Sequence, residues 1–319
     1  MTRKHFAQHL AGALISLGAL GAGSALAQTA AAPAAPSTET SITLPTPTEI
    51  YKEIRITVQG EGRPVLMIPG LNSGAEVWTD TCKALQPGVQ CHMVHLPGFA
   101  GAPASPTASE ARFLDTMRDR LLDYIAERKL ARPVVMGHSL GGVLAMTMAV
   151  QQPAALDRIV IVDSLPFLAG IRNPSATADS VKGMAEAMRN QMRNASPEVF
   201  AAQTKASANG MTRAPGGTER VVAMGLASDR NTTAQAMSEL WGLDLRPVLP
   251  KIQTPTLVLG AWAAYAPMGA TMLSTLGIFE SQYQGLPKVQ IRMSETAYHF
   301  IMWDDLTWTV AQVKGFMAP

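Results

Sequence analysis

The chain has 319 residues, 47% of them hydrophobic, with 26 Lys and Arg residues against 24 Asp and Glu residues. This apolar content is enough for a large buried core and is not the composition of a disordered chain. The charges nearly balance and no run of basic residues occurs, so nucleic acid is not expected as a partner.

The first 27 residues are typical of a secretory signal peptide. A basic start at Arg3 and Lys4 is followed by an apolar run over residues 10–21 and by Ala25-Leu26-Ala27, a small-residue cleavage site. We therefore expect cleavage after Ala27 and a mature protein in the periplasm or outside the cell. Residues 28–49, rich in Ala, Pro, Thr and Ser, are predicted to form a flexible leader. No later stretch is long and apolar enough to predict a transmembrane segment.

From residue 50 onward, apolar runs that favour strands alternate with segments that favour helices. The predicted strands are an opening pair around Tyr51 and Val58, with a turn at Gly60 and Gly62, and then 65–68, 90–96, 132–135, 159–162, 255–260 and 288–293. The predicted helices are 75–85, 111–130, 143–150, about 268–276 and 305–316. This alternation predicts an α/β fold with a mostly parallel sheet and helices on both faces. In such sheets the functional site lies at the carboxyl ends of the strands.

Residues 167–246 interrupt the alternation. They contain no convincing strand, and they carry helix-forming Ala, Met, Glu and Gln residues with breaks at Pro197 and at 215–217. We interpret this segment as a helical cap inserted into a core formed by residues 50–166 and 247–319.

The chain has two cysteines, Cys82 and Cys91. A short-loop disulfide between them is expected in an oxidising compartment, and two free buried thiols are the alternative. The bond would hold a predicted helix against the next strand and has no catalytic role.

The segment Gly137-His138-Ser139-Leu140-Gly141 follows a predicted strand and opens a predicted helix. A Gly-x-Ser-x-Gly pattern in this context predicts a sharp turn that exposes the serine, and the glycines leave room for that turn. Ser139 is therefore the candidate nucleophile, and the Leu140 N–H is a candidate donor to an oxyanion. The alternative is a glycine-rich turn with an idle serine.

These motifs, in their order and spacing, resemble the α/β-hydrolase superfamily, and most closely its capped bacterial esterases. The resemblance covers residue 50 to the end except the cap, and it implies the α/β-hydrolase fold, with an eight-stranded type of sheet. It also implies a Ser–Asp–His order of catalytic residues and a second oxyanion donor, the Leu71 N–H. The matching segments are Ile68-Pro69-Gly70-Leu71, Leu96-Pro97-Gly98-Phe99, Gly137-His138-Ser139-Leu140-Gly141-Gly142, Pro255-Thr256-Leu257-Val258 and Tyr298-His299-Phe300.

A serine hydroxyl needs a base, and His299, in a polar loop after the last strand, is the best candidate. A structural loop histidine is the alternative. Many family members carry the acid after the strand 255–260, but here the loop 260–267 has no carboxylate. Asp163 ends the strand that follows the nucleophile, a position that certain haloalkane dehalogenases look to use. We therefore expect Asp163 to be the acid; the alternatives are an aspartate that caps a turn, or a Ser-His dyad without an acid.

The substrate pocket is predicted to be mostly apolar. Met184 and Met188 share a helix face with Met192, a face that would line an acyl pocket or dock the cap on the core. The candidates for the pocket are His138, Phe167, Met184, Met188, Trp262 and Trp303.

No metal-binding or cofactor motif is recognisable, so neither a metal nor a cofactor is expected. The prediction is an exported serine hydrolase that cleaves a carboxylic ester or lactone of a small, fairly apolar molecule through an acyl-enzyme on Ser139. The alternatives are other serine-dependent chemistry on the same fold (C–C bond hydrolysis, thioester hydrolysis or perhydrolysis) and a non-catalytic binding protein.

Overall fold

The computed structural model describes residues 48–106, 112–171 and 173–318. The predicted signal peptide and its cleavage site lie outside the described residues, as does the predicted leader up to residue 47. The first strand begins at Thr48, two residues before the predicted start of the core. Across the described ranges, no helix has the length and apolar character needed to cross a membrane.

The described residues form a single eight-stranded sheet. Its strands are β1 (Thr48–Tyr51), β2 (Ile54–Gln59), β3 (Gly62–Ile68), β4 (Gly88–His95), β5 (Val134–His138), β6 (Arg158–Val162), β7 (Thr256–Gly260) and β8 (Val289–Met293). Their order across the sheet is β1-β2-β4-β3-β5-β6-β7-β8. β2 runs antiparallel to both of its neighbours, and the six strands from β3 to β8 are mutually parallel. The predicted mostly parallel α/β sheet is therefore confirmed.

Helices cover both faces of this sheet. The α-helices of the described residues, including the four inserted ones from α4 to α7, are α1 (Thr79–Leu85), α2 (Phe113–Glu127), α3 (Leu140–Gln151), α4 (Ala178–Asn194), α5 (Pro197–Ala208), α6 (Gly217–Leu226), α7 (Arg230–Gly242), α8 (Met272–Tyr283), α9 (Ile301–Asp304) and α10 (Leu306–Met317). Neighbouring residues of a strand point to opposite faces, so Leu66 joins the apolar cluster under α2 and α3 while Met67 joins the cluster under α1 and α10. Strands covered on both faces are apolar throughout, which explains the unbroken apolar runs in the sequence.

Helices α4 to α7, called the helical insertion below, lie between β6 and β7 in the chain. Within it α4 packs against α7, and α5 against α6. The insertion is tied to the core by Glu239 of α7, whose carboxylate accepts hydrogen bonds from the N–H groups of Phe113 (2.7 Å) and Leu114 (2.8 Å). These are free donors at the start of α2, so a carboxylate there caps the helix. The boundaries of the cap at 167 and 246 remain a prediction.

Cys82 of α1 and Cys91 of β4 form the expected disulfide. Both side chains are fully buried in the cluster on that face of the sheet. The bond fixes α1 to the strand at its side, as the spacing of the two cysteines predicted.

Two local predictions are wrong. The turn of the opening hairpin lies at Lys52 and Glu53, which adopt φ angles of 44° and 69°, and not at Gly60 and Gly62. Those glycines lead from β2 to β3, which are not neighbours because β4 lies between them. The helix expected over 268–276 begins only at Met272, because the Thr271 hydroxyl caps it by accepting from the Ser274 N–H at 3.1 Å.

Candidate active site

Ser139 lies on a strained turn between β5 and α3. Its φ of 51° and ψ of −115° are unfavourable for a residue with a side chain, and its N–H is held by the Val162 carbonyl at 2.9 Å. A Cβ atom at Gly137 would lie 2.0 Å from the Gly141 oxygen, and one at Gly141 would lie 2.2 Å from the Ile68 oxygen. Both glycines are therefore required by close backbone contact, as the motif predicted.

His299 and Asp163 form a short hydrogen bond although they are far apart in the chain. The distance from His299 Nδ1 to Asp163 Oδ2 is 2.6 Å, and the two side chains are only 9% and 10% exposed. A carboxylate can only accept, so Nδ1 carries the proton and the lone pair of a neutral ring lies on Nε2. The second oxygen of Asp163 accepts from the Ala261 N–H at 3.0 Å, just beyond the end of β7. The carboxylate thus reaches from β6 to the place where the loop 260–267 lacks an acid.

Ser139, His299 and Asp163 line one cavity. Among the hydrogen bonds of the described residues there is none between the Ser139 hydroxyl and the His299 ring. Such bonds are commonly long in unliganded sites and shorten when a substrate is bound.

The two predicted oxyanion donors, Leu71 and Leu140, line the same cavity as the serine. The Leu140 N–H is the first of α3, so it has no acceptor within the helix and lies at the positive end of the helix dipole. Gly70 brings the preceding loop close, since a Cβ there would be 3.2 Å from Ser139 Cβ. Neither N–H donates a hydrogen bond within the described part of the chain, so both are available to a ligand.

His138 is next to the nucleophile but does not have the geometry of a second base. Its Nε2 lies 3.1 Å from the His299 backbone oxygen, which can only accept, so this nitrogen carries the proton. Its ring centroid lies 4.5 Å from that of His299 and 4.6 Å from that of Phe300. Burial, and secondarily the nearby His299, hold the pKa of His138 well below its usual value, so the ring stays neutral.

The loop that carries His299 is held by the helical insertion on one side and by Asp304 of α9 on the other. The Phe300 N–H donates to the Met211 carbonyl at 2.9 Å, and the Tyr298 N–H donates to Asp304 Oδ2 at 2.8 Å. The other oxygen of Asp304 accepts from the Thr212 hydroxyl at 2.5 Å and from the N–H groups of residues 213 and 214. Asp304 therefore links the segment between α5 and α6 to the histidine loop.

The cavity has a volume of about 160 Å³, and its lining corrects most of the predicted pocket. Of the six candidates only His138 lines it. Met184 is 57% exposed, and Met188 and Phe167 pack in a separate apolar cluster beneath α7. The reason is that the apolar face of α4 packs on α7, which is itself part of the helical insertion, so it docks one inserted helix on another and not the cap on the core.

The two tryptophans among the candidates also lie outside the cavity lining. Trp303 stacks on Phe300 with centroids 4.5 Å apart, the Arg220 guanidinium lies 4.1 Å above its ring, and its Nε1 donates to the Val77 carbonyl at 3.0 Å. Trp262 follows β7 but does not contribute to the cavity wall.

The actual wall comes from the core and from the inner faces of all four inserted helices. Apolar side chains predominate, and most of them are not among the residues that the sequence predicts for the pocket. Examples are Leu165, Leu168, Phe200, Met224, Met237 and Leu240, with Met192 as the single member of the methionine stripe. On α5 the lining residues recur three and four positions apart, a helical pattern that could have marked this face from the sequence.

Comparisons with known proteins agree with this architecture. A family model described as alpha/beta hydrolase fold matches residues 63–306. The pimeloyl-[acyl-carrier protein] methyl ester esterase of Nitrosomonas europaea is 33% identical over 113 residues, which are 35% of this chain and 42% of that protein. The esterase of the same name from Vibrio atlanticus is 26% identical over 210 residues, 63% of this chain and 76% of that protein. The chain therefore spans less than half the length of the first of these relatives.

Solved structures show the same fold at low sequence identity. A hydrolase from Pseudomonas aeruginosa PA01 aligns with a TM-score of 0.70 and 15% identity, covering 86% of this chain and 99% of that one. The enol-lactonase from Burkholderia xenovorans LB400 aligns with a TM-score of 0.67 and 15% identity, covering 85% and 99%. At such identities the likeness concerns the fold alone. The family match, in contrast, takes in the six parallel strands and the helices between them, so the chain belongs to the alpha/beta hydrolase fold family.

Proposed function

We propose that this protein is an exported serine hydrolase that cleaves a carboxylic ester or lactone of a small, fairly apolar molecule. The observation that carries the proposal is the 2.6 Å hydrogen bond between His299 and Asp163 in the cavity that also holds Ser139 on its strained turn. A nucleophile, a base and a group that orients the base are the three parts that acyl transfer from serine needs.

In the first half of the reaction, Ser139 Oγ attacks the substrate carbonyl carbon while its proton passes to His299 Nε2. The N–H groups of Leu71 and Leu140 stabilise the oxyanion, and Asp163 stabilises the imidazolium. The C–O bond then breaks, and His299 returns the proton to the leaving alcohol. In a lactone the leaving hydroxyl stays attached to the acyl chain.

In the second half, His299 Nε2 takes a proton from a water molecule, and the resulting nucleophile attacks the acyl-enzyme. Collapse of the second oxyanion releases the acid, and Ser139 regains its proton from His299. Of the two histidine rings among the described residues that line the cavity, that of His299 is the one hydrogen-bonded to a carboxylate, whereas that of His138 donates to a backbone oxygen.

The apolar wall of the cavity supports a fairly apolar substrate. The names of relatives with the same fold, methyl ester esterases and an enol-lactonase, support an ester or lactone bond. The disulfide between Cys82 and Cys91 supports an oxidising compartment and hence export. Export is tested by N-terminal sequencing of the protein from a periplasmic fraction, where the expected first residue is Gln28 and an intact Met1 would contradict it.

The catalytic proposal is tested with the mature chain on nitrophenyl butyrate and a fluorophosphonate probe. Ser139→Ala should abolish labelling and turnover, and His299→Ala should do nearly the same. Asp163→Asn should lower kcat by roughly 10⁴, the typical cost of losing the orienting carboxylate of a triad. The matched control is Asp80→Asn, an exposed aspartate of α1, which should keep wild-type activity. Unchanged labelling of the Ser139→Ala protein would refute the nucleophile, and a fully active Asp163→Asn protein would refute the acid.

A further inference from the structure

One helix face of the insertion adds hydrogen-bonding groups to the largely apolar cavity. On α5, Phe200, Gln203, Thr204 and Ser207 follow the spacing of a single helix face, and all four line the cavity. Three of the four carry hydrogen-bonding groups, so this face is the place where a substrate could be recognised by more than its shape.

The two hydroxyl groups on this face already use their protons. Thr204 Oγ1 donates to the Phe200 carbonyl and Ser207 Oγ donates to the Thr204 carbonyl, each at 2.9 Å. A hydroxyl has one proton and two lone pairs, so both oxygens can still accept a hydrogen bond but cannot donate one to a ligand.

Gln203 has no such partner. Its side chain is partly buried, and its Oε1 is fully buried and makes no hydrogen bond. Buried side-chain oxygens nearly always have a partner, so an unpartnered one beside a cavity indicates a donor supplied by a ligand or by water. Together with the two hydroxyl oxygens, this acceptor gives the α5 face an excess of lone pairs over protons.

Among the described residues, the cavity lining holds no unpaired charge that would neutralise a charged ligand group. The described lining residues include no lysine or arginine, and their ionisable side chains are those of His138, Asp163, His299 and Tyr265. Asp163 is already paired with His299, and burying an unpaired charge is costly. A group that pairs with this face therefore donates a hydrogen bond and carries no charge, and an alcohol hydroxyl meets both conditions and can also accept from the Gln203 amide group.

We propose that Gln203 is a specificity-determining residue that selects esters or lactones of uncharged hydroxy acids. The proposal rests on the proposed function, because it places the acyl chain of that substrate in the cavity. The hydroxyl of the chain donates to the Gln203 carbonyl oxygen or to the Ser207 oxygen, and accepts from the Gln203 amide group. Plain acyl chains of the same length leave these groups without partners, and sites built to bind a hydroxyl discriminate strongly against such analogues.

The test compares methyl octanoate with methyl 3-, 6- and 8-hydroxyoctanoate, in which the leaving methanol is too small to be the group that fills the cavity. We expect wild-type kcat/KM to favour one hydroxy isomer over methyl octanoate by about tenfold or more. In Gln203→Leu this ratio should fall to near one, and Gln203→Met serves as a second variant of similar shape should the first be poorly folded. The control is Gln284→Leu, an exposed glutamine after α8, which should keep the wild-type ratio.

Binding to the Ser139→Ala protein separates this proposal from the proposed function. Calorimetric titration of the preferred hydroxy ester should show binding that is weakened about tenfold when Gln203→Leu is added, whether or not the wild type turns the ester over. Loss of turnover with this binding difference intact would refute the proposed function alone. Equal affinities, or equal rates on all four esters in the wild type, would mean that water satisfies the amide and would overturn the role of Gln203.

Discussion

Replacing Gly141 by alanine tests whether the backbone geometry at the serine sets the reaction rate. The added Cβ atom would lie 2.2 Å from the Ile68 oxygen and 2.8 Å from the Pro69 oxygen. Both are backbone atoms at the end of β3, so no side-chain rotation removes the contact. The two segments must separate by about 1 Å before the contact becomes tolerable.

That separation acts directly on the proposed oxyanion site. The segment after β3 leads into Leu71, and α3, which contains Gly141, begins with Leu140. Moving these two parts of the chain apart therefore enlarges the gap between the N–H groups of Leu71 and Leu140. A displacement of about 1 Å in a catalytic group can lower the rate about 100-fold, and overpacking of this kind costs about 1–3 kcal/mol of stability. We therefore expect Gly141→Ala to fold with a lower melting temperature and to lose at least about 100-fold in kcat/KM.

The assay measures kcat/KM on nitrophenyl butyrate, the rate of fluorophosphonate labelling and the melting temperature for each variant. Gly183→Ala is the matched control, because Gly183 lies within α4 and a Cβ there would have no atom within 4 Å. Alanine should stabilise that helix by about 0.5–1 kcal/mol and leave activity unchanged. If Gly141→Ala retained more than about a third of wild-type kcat/KM, the link between this close contact and the rate would be refuted.

Three further predictions concern pH, the disulfide and the histidine loop. Burial lowers the pKa of His92 from 6.5 to about 4, so between these two pH values only the unfolded chain gains a proton. The free energy of unfolding should therefore drop by about 3 kcal/mol as the pH falls from 6.5 to 4. Urea titrations of His92→Gln should show a flatter pH dependence. Replacing Cys82 and Cys91 by alanine opens a loop with a sequence separation of 9 and should cost about 2–3 kcal/mol in the same titrations, whereas an unchanged midpoint would contradict a bond in solution. Asp304→Asn removes one of the two carboxylate oxygens that link the histidine loop to the segment between α5 and α6. Because the loop positions His299, kcat should fall about tenfold or more, while the affinity of the Ser139→Ala protein for the ester should change little when Asp304→Asn is added. An equal loss in kcat and in affinity would indicate a general structural defect.

The parts of the site that the sequence predicted are those with strict local requirements. Ser139 was recognisable because the turn around it tolerates only glycine at Gly137 and Gly141, and the flanking strand and helix have distinct patterns. Asp163 was selected because the loop after β7 contains no carboxylate and the end of β6 does. Parallel strands end at the same edge of a sheet, so a residue at the end of β6 can reach a loop that follows β8.

The pocket could not be predicted in the same way, because its wall depends on how the inserted helices pack on one another. The stripe of Met184, Met188 and Met192 on α4 has the pattern of a helix that buries one face, but the pattern does not specify the partner. In the structure the partner is α7, and Met192 alone reaches the cavity. Trp303 was misplaced for a similar reason, since its position near His299 in the chain gives no information about the Arg220 guanidinium above its ring.

The position of the acid also explains the character of the loop after β7. Asp163 adopts a φ of 44°, and its N–H donates to the Leu259 carbonyl at 2.7 Å, so the backbone turns toward β7 directly after the strand. This turn brings the carboxylate to the Ala261 N–H, which donates a hydrogen bond to the oxygen that His299 does not contact. The loop therefore supplies a backbone donor rather than a carboxylate. Two of its side chains, Ala261 and Tyr265, line the cavity, and the loop needs no carboxylate of its own because Asp163 reaches His299 from the end of β6.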